Sequence, residues 1–230
     1  MNDRKSLQAE EKRAAAEAAL KLVEDGMALG LGTGSTAAYA IRGLGRMVGQ
    51  GLKVRAVPTS RQTEELAREE GIPLTDLEAC PRLDLTIDGA DEADPRCRLI
   101  KGGGGALLRE KIVASASRRM VAIVDSSKLV DPLGEFPLPV EVVQFAWPVL
   151  LPRLALLGCA PVLRRQGDKP FLTDEGNYII DCPFKAIDDP RALAAQISPI
   201  PGVVEHGLFI DLCQEVILAR SNSIERFMAD

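Results

Sequence analysis

The sequence predicts an α/β protein: a Rossmann-like parallel sheet with helices on both faces, and a smaller α+β unit of ferredoxin-like pattern inserted before the C-terminal strands. Three observations lead there. Short apolar runs, MALGLG, LKVRAVP, LDLTIDGA and RMVAIVD, alternate with segments of helical spacing. Buried strands separated by helices need crossover connections, hence parallel pairing with both faces covered. From about Leu133 the texture changes to proline-rich, strand-like stretches with two helical ones, the signature of an antiparallel layer. Finally, 230 residues with 46% apolar side chains suffice for one main core and a satellite.

Element by element, the first twenty-five residues are strong helix formers with Ala and Leu at helical spacing, and Gly26 is placed as a stop. MALGLG (27–32) is a buried strand, GTGST a loop, AAYAIRGLGRM a helix and LKVRAVP a strand. In SRQTEELAREEG, Ser60 caps a helix and Gly71 ends it. LDLTIDGA (83–90) is a strand ending in acidic residues, GGGGALLREKIVASAS a glycine-led helix, and RMVAIVD (119–125) a further buried strand. In the second half PLGEFPLPVEVV is strand-like and Pro148 to Gly158 helical. PVLRRQG and FLTDEGNYIID are strands around an Asp-Glu-Gly-Asn turn, DPRALAAQI is helical, and VVEHGLFIDL returns the chain to the main sheet. The expected division is therefore 1–134 with 205–230 around an inserted unit of 135–204.

The apolar stretch 142–163 tempts a membrane reading, but Arg153 in its middle costs roughly 2.5 to 3.5 kcal/mol of insertion, and Pro148, Pro152 and Pro161 interrupt it. It is expected to be a buried helix followed by a strand. The N-terminus is charged where a signal peptide needs an apolar run, so a cytoplasmic protein is expected.

Composition excludes much chemistry. The single histidine, His206, rules out any two-histidine metal motif, and a Ser-His-Asp triad or a Cys-His pair would have to use it and no other. The formal net charge of −5, with basic residues clustered no further than pairs such as Arg118-Arg119, argues against nucleic acid or anionic membrane as partner. Five cysteines, Cys80, Cys97, Cys159, Cys182 and Cys213, are odd in number and never form Cys-x-x-Cys, so they read as small core residues.

Ligands of parallel sheets sit beyond the carboxyl ends of the strands. After the first strand, Gly30-Leu31-Gly32-Thr33-Gly34-Ser35-Thr36 runs into a helix whose free N–H groups suit an anion. Gly32, Gly34 and Ala37 also match G-x-G-x-x-A, but no acidic residue follows in LKVRAVPTS, and Arg55 or Arg61 serves only an NADP reading. A phosphate loop, a nucleotide site and an ordinary turn all remain open on these residues. Asp88-Gly89-Ala90-Asp91-Glu92-Ala93-Asp94 crowds four carboxylates; Thr86 and Pro95 break the calcium-loop pattern, leaving a solvated acidic loop or separate proton-handling roles. Lys101-Gly102-Gly103-Gly104-Gly105 has its lysine before the glycines, which rejects an ATP loop but suits backbone lying against a ligand. Glu110 follows on the helix, as a surface charge or a functional carboxylate, and Asp125-Ser126-Ser127-Lys128 closes the set.

In register, GTGSTAAYAI, DGADEAD, IKGGGGALLREKIVA, DSSK, FPLPVEV and PGVVEHGLF resemble the A-type ribose 5-phosphate isomerases, from about Lys12 to Ile210. The resemblance implies interconversion of ribose 5-phosphate and ribulose 5-phosphate in the non-oxidative pentose phosphate pathway, without metal or cofactor, by a homodimer or a dimer of dimers. It gives Glu110 the role of proton acceptor. It places the sugar phosphate against Thr33, Gly34, Ser35 and Thr36, Asp88, Gly89, Ala90 and Asp91, Lys101, Gly102, Gly103 and Gly104, and Lys128, with Lys12 a further candidate. An aldose to ketose shift needs one base between C2 and C1, donors for the enediolate oxygen and an acid for ring opening. Glu110 can be the base, Lys101 and the glycine N–H groups the donors, and Asp88 and Asp91 can orient hydroxyls and assist ring opening. After Phe209 the chain departs from the family's pattern. The competing reading is a non-catalytic sugar-phosphate-binding regulatory module on the same fold. His206 lies outside every one of these loops and is expected to be structural.

Overall fold

The computed structural model describes residues 2–221 and 223–229. The first half runs α1 (Asn2–Leu20), β1 (Ala28–Leu31), α2 (Ser35–Gly49), β2 (Arg55–Pro58), α3 (Arg61–Glu69), β3 (Leu85–Gly89), β4 (Glu92–Ala93), β5 (Leu99–Ile100), α4 (Leu107–Ser115) and β6 (Met120–Asp125). The second half runs β7 (Leu138–Val142), α5 (Trp147–Ala155), β8 (Val162–Leu163), β9 (Arg165–Gln166), β10 (Lys169–Pro170), β11 (Tyr178–Cys182), α6 (Pro190–Ile197), β12 (Val203–His206), β13 (Leu208–Phe209), β14 (Glu215–Arg220) and β15 (Ser223–Met228).

The main sheet has the order β15-β14-β6-β3-β1-β2, parallel except for β15 at the edge. The pleat sends alternate side chains to opposite faces. Val121 and Ile123 of β6 join Ala15 and Ala19 of α1, Ile41 and Leu44 of α2 and Ala67 of α3 in one core. Met120, Ala122 and Val124 join the other face, where Ala114 of α4 packs with Ala93, Leu99 and Phe209 of a small antiparallel sheet, β13-β5-β4. Helices thus cover both faces, with α4 sharing its side with three short strands, of which β4 and β5 carry no sequence signal. From β1 the chain steps to β2 on one side, then to β3 on the other. That reversal opens a crevice beyond the carboxyl ends of β1 and β3.

The second sheet, β12-β7-β11-β8, is antiparallel throughout and carries α5 and α6 in the βαββαβ order of ferredoxin-like units. Its core joins Val140, Val142, Ile180 and Cys182 to Leu150, Leu154, Leu193 and Ile197.

Several expectations need correction. Helix α1 ends at Leu20 instead of near residue 25, because Leu22 and Val23 donate to the carbonyls of Ala19 and Leu20 and tighten the chain into a turn. The stretch around α5 is not buried: Leu150 and Leu154 face the core, but Phe145 is 94% and Leu156 87% exposed, since this short helix docks by one face only. VVEHGLFIDL does not re-enter the main sheet; Val203–His206 pairs with β7 and Leu208–Phe209 with β5, and the return comes at β14. PVLRRQG forms only the short β8 and β9, and Phe171 to Thr173 lie outside the strands.

Candidate active site

The loop after β1 meets the start of α2 with Gly34 at the cap position and no side chain capping it, so the first N–H groups of the helix stay available to an anion. Gly32 is dictated by packing: a Cβ there would lie 2.0 Å from Asp88 Oδ1. Thr33 donates its N–H to Asp88 Oδ1 at 3.1 Å and turns its hydroxyl inward to Thr59 (2.8 Å), Ser60 (2.8 Å) and Thr63 (3.2 Å). Thr63 in turn donates to the carbonyl of Gly32 at 2.9 Å. The hydroxyls that brace this loop sit together in TSRQT, where the sequence reading recognised only the Ser60 cap, which does accept the Thr63 N–H.

Two lysines flank the helix start. Lys12 Nζ lies 3.0 Å from Ser35 Oγ and 3.9 Å from Asp125 Oδ2, and Lys128 reaches the same cleft. Glu11 fixes α1 for this purpose, since its buried carboxylate accepts from Ser126 N (3.0 Å), Ser126 Oγ (2.7 Å) and Ser221 N (2.8 Å). These hydrogen bonds outweigh burial and hold Glu11 below the usual carboxylate range. Glu11 was invisible to sequence reasoning because its partners lie more than a hundred positions away.

Beside the start of α2, Asp88, Lys101 and Glu110 form a buried charge cluster, none more than 4% exposed. Lys101 Nζ donates to the carbonyl of Gly89 at 2.5 Å and lies 3.0 Å from Asp88 Oδ2 and 3.3 Å from Glu110 Oε1, so one ammonium is ion-paired with two carboxylates. Burial alone would depress Lys101, but the two carboxylates override it and raise its pKa, so it stays charged. Burial pushes Glu110 up to about 8, helped by Asp88 and Asp91 and opposed by Lys101. Burial likewise raises Asp88 against the pull of Lys101. Glu110 Oε2 is buried and has no hydrogen-bond partner.

Of the residues expected to touch substrate, all but Asp88 and Gly103 line one cleft, together with Lys12 and Glu110. Asp88 is fully buried beside the cleft: its Oδ1 accepts from Thr33 and Gly89 and its Oδ2 faces Lys101. Gly103 is turned to Asp91, whose Oδ2 accepts its N–H at 2.7 Å, while Asp91 itself faces the cleft. Arg61, the candidate for a nucleotide phosphate, instead holds Asp174 with its backbone N–H and guanidinium. His206 lies apart, between Lys111 and Ser198.

The family model described as ribose 5-phosphate isomerase A (phosphoriboisomerase A) matches residues 55–223. The chain is 54% identical over 215 residues to a ribose-5-phosphate isomerase A of Sphingopyxis alaskensis, covering 94% of each chain. It is 56% identical over 217 residues to one from Roseiflexus castenholzii, covering 93% of each. Among solved structures, a D-ribose-5-phosphate isomerase in complex with phospho-erythronic acid superposes with a TM-score of 0.93 at 41% identity, over 95% of this chain and 98% of that one. The ribose 5-phosphate isomerase of Plasmodium falciparum gives 0.93 at 37% identity, over 96% and 99%.

Proposed function

The chain belongs to the ribose 5-phosphate isomerase A family and interconverts ribose 5-phosphate and ribulose 5-phosphate in the pentose phosphate pathway; from that premise we propose how its residues do so. The phosphate sits at the N-terminus of α2 between Lys12 and Lys128, with Ser35 and Thr36 as donors. Asp91 faces the sugar and assists opening of its ring. Glu110 Oε2 takes the proton from C2, the electron pair of that C–H bond forms the C1–C2 double bond, and the π pair of the C1 carbonyl moves onto O1, giving the enediolate. The proton of the O2 hydroxyl passes to O1, and the same carboxyl returns a proton to C1 as the carbonyl forms at C2.

The charge cluster suits this sequence of events. When Glu110 becomes neutral, its hold on Lys101 weakens, which frees a charged donor for the enediolate oxygen at the moment negative charge develops there. Asp88 keeps Lys101 in place meanwhile. The observation that carries the reading is the buried, unpartnered Oε2 of Glu110, on a cleft-lining residue beside a lysine. A regulatory module that only bound the sugar phosphate would have no use for it. Phospho-erythronic acid places a carboxylate where the enediolate forms, so it is expected to occupy the same cleft.

The division into 1–134 with 205–230 and 135–204 belongs to this reading, although β12 lies across its second boundary. So do a cytoplasmic location and assembly as a homodimer or dimer of dimers. No helix among the described residues is long and apolar enough to cross a membrane. Purified protein incubated with ribose 5-phosphate in deuterated water should yield ribulose 5-phosphate labelled at C1. No ketose and no label would overturn the proposal.

A further inference from the structure

The glycine loop that carries Lys101 is held from outside the main sheet. Arg164, between β8 and β9, places Nη1 2.8 Å from the carbonyl of Gly102 and 3.2 Å from that of Gly103. Its other edge forms a bidentate pair with Asp181 of β11, Nε to Oδ2 at 2.9 Å and Nη2 to Oδ1 at 2.5 Å. The guanidinium also stacks 5.8 Å from the ring centre of Phe171, and that ring fills the space a Cβ at Gly105 would enter, 2.4 Å away. A fork fixed by a carboxylate on one side and a ring on another has little freedom.

A trans peptide is planar, and its N–H points opposite to its C=O. Pinning the carbonyl of Gly102 on Arg164 therefore aims the N–H of Gly103 the other way, where it meets Asp91 Oδ2 at 2.7 Å. Pinning the carbonyl of Gly103 aims the N–H of Gly104 by the same rule, and Gly104 lines the cleft. We propose that Arg164 is a positioning residue for the isomerisation: from the small sheet it sets the direction of the glycine-loop N–H groups, so that Gly103 orients Asp91 and Gly104 donates to the enediolate oxygen. Nothing in PVLRRQG distinguishes Arg164 from its neighbour Arg165, whose guanidinium instead donates to the carbonyl of Asp168.

The inference rests on the isomerase reading, and its test separates the two. The variants are Arg164→Met and Arg164→Lys in the full chain. Asp181 is 27% exposed and stays solvated without its partner, so folding should survive. In Arg164→Met, kcat for ribose 5-phosphate should fall about 10- to 100-fold, the scale of a misplaced catalytic group, while KM changes less than about threefold. Inhibition by phospho-erythronic acid should weaken by a similar factor. Inhibition by inorganic phosphate, which needs only the α2 N-terminus and the two lysines, should stay within about twofold, because those groups lie outside the loop that Arg164 holds. Arg164→Lys keeps the charge but not the fork and should fall between, which also carries the test if the methionine variant does not fold. Unchanged kcat in either variant overturns the proposal. So does equal weakening of phosphate and phospho-erythronic acid, which would mean general loosening. Glu110→Gln with full turnover would instead overturn the isomerase reading itself, whatever Arg164 does.

Discussion

Helix α4 sends two neighbouring charged side chains, Glu110 and Lys111, into a buried and a half-buried cluster that share the ring of Phe209. Lys101 lies 5.7 Å and Lys111 5.0 Å from its centre. Each cluster pairs a lysine with a carboxylate, yet they differ in what is left unspent. Around Lys111 everything is matched: Nζ reaches Glu205 Oε1 at 2.7 Å and the carbonyl of His206 at 2.6 Å. His206 Nδ1 accepts from Leu208 N at 3.2 Å, and Nε2 meets Ser198 Oγ at 3.2 Å. Around Lys101 two buried carboxylates compete for one ammonium, and Glu110 keeps an oxygen without a partner. A satisfied polar cluster fixes structure, whereas an unsatisfied one stores proton affinity at a cost in stability.

The comparison can be broken at each end. The largest effect belongs to Glu110→Gln, which keeps size and a hydrogen-bonding group but removes the base: kcat should fall by about 10² to 10⁴, with phosphate inhibition retained. Lys101→Met should cost about 10² to 10³ in kcat through the lost donor. It should also destabilise the fold by about 3 to 5 kcal/mol, since it strands two buried carboxylates. A coupled assay and a thermal melt read both.

The titration of Glu110 sharpens the contrast. It must be ionised to accept a proton, so kcat/KM should drop about tenfold per pH unit below its pKa near 8. Stability should run the other way. In the unfolded chain Glu110 loses its proton in the ordinary carboxylate range, so the native state holds the extra proton between there and about pH 8. Wild-type stability should therefore decline with rising pH across that window, and Glu110→Gln should lack this component of the slope. Denaturant titrations at several pH values measure it.

The smallest effect on catalysis is expected from His206→Gln. Burial and the Lys111 charge push His206 down to about 4, so it is neutral wherever the enzyme works and carries no pH response there. Its loss should cost about 1 to 3 kcal/mol of stability by leaving the buried Leu208 N–H without its acceptor, with kcat changed less than about threefold. A tenfold fall in kcat would put both clusters in the chemistry.

The same contrast explains what the sequence disclosed. The alternation of apolar runs with helical segments predicted the parallel sheet, because buried parallel strands read as continuous apolar stretches. The loops after those strands drew out Glu110, Asp91, Lys101 and the α2 start, which the fold brings to one cleft, because glycines and crowded charges there are costly without a use. Strands β4 and β5 stayed hidden, being two residues each with no period to detect, and the partner of β13 was misjudged because a two-residue pairing leaves no mark in VVEHGLFIDL. Glu11 and Arg164 stayed hidden for another reason. Each looks like an ordinary surface charge, and its meaning lies in partners 115 and 62 positions away. Asp88 came into the set of substrate contacts through the resemblance alone; its partners, the N–H groups of Thr33 and Gly89 and the ammonium of Lys101, could not be read from DGADEAD.

The central claim is that the unpartnered carboxylate oxygen of Glu110 moves the proton. Its most direct test compares wild type and Glu110→Gln with ribose 5-phosphate in deuterated water, following label at C1 and C2 by magnetic resonance. The wild type should incorporate deuterium as it turns over. Glu110→Gln should bind inorganic phosphate as well as wild type yet exchange at least about 10²-fold more slowly. Exchange at an undiminished rate would contradict the account.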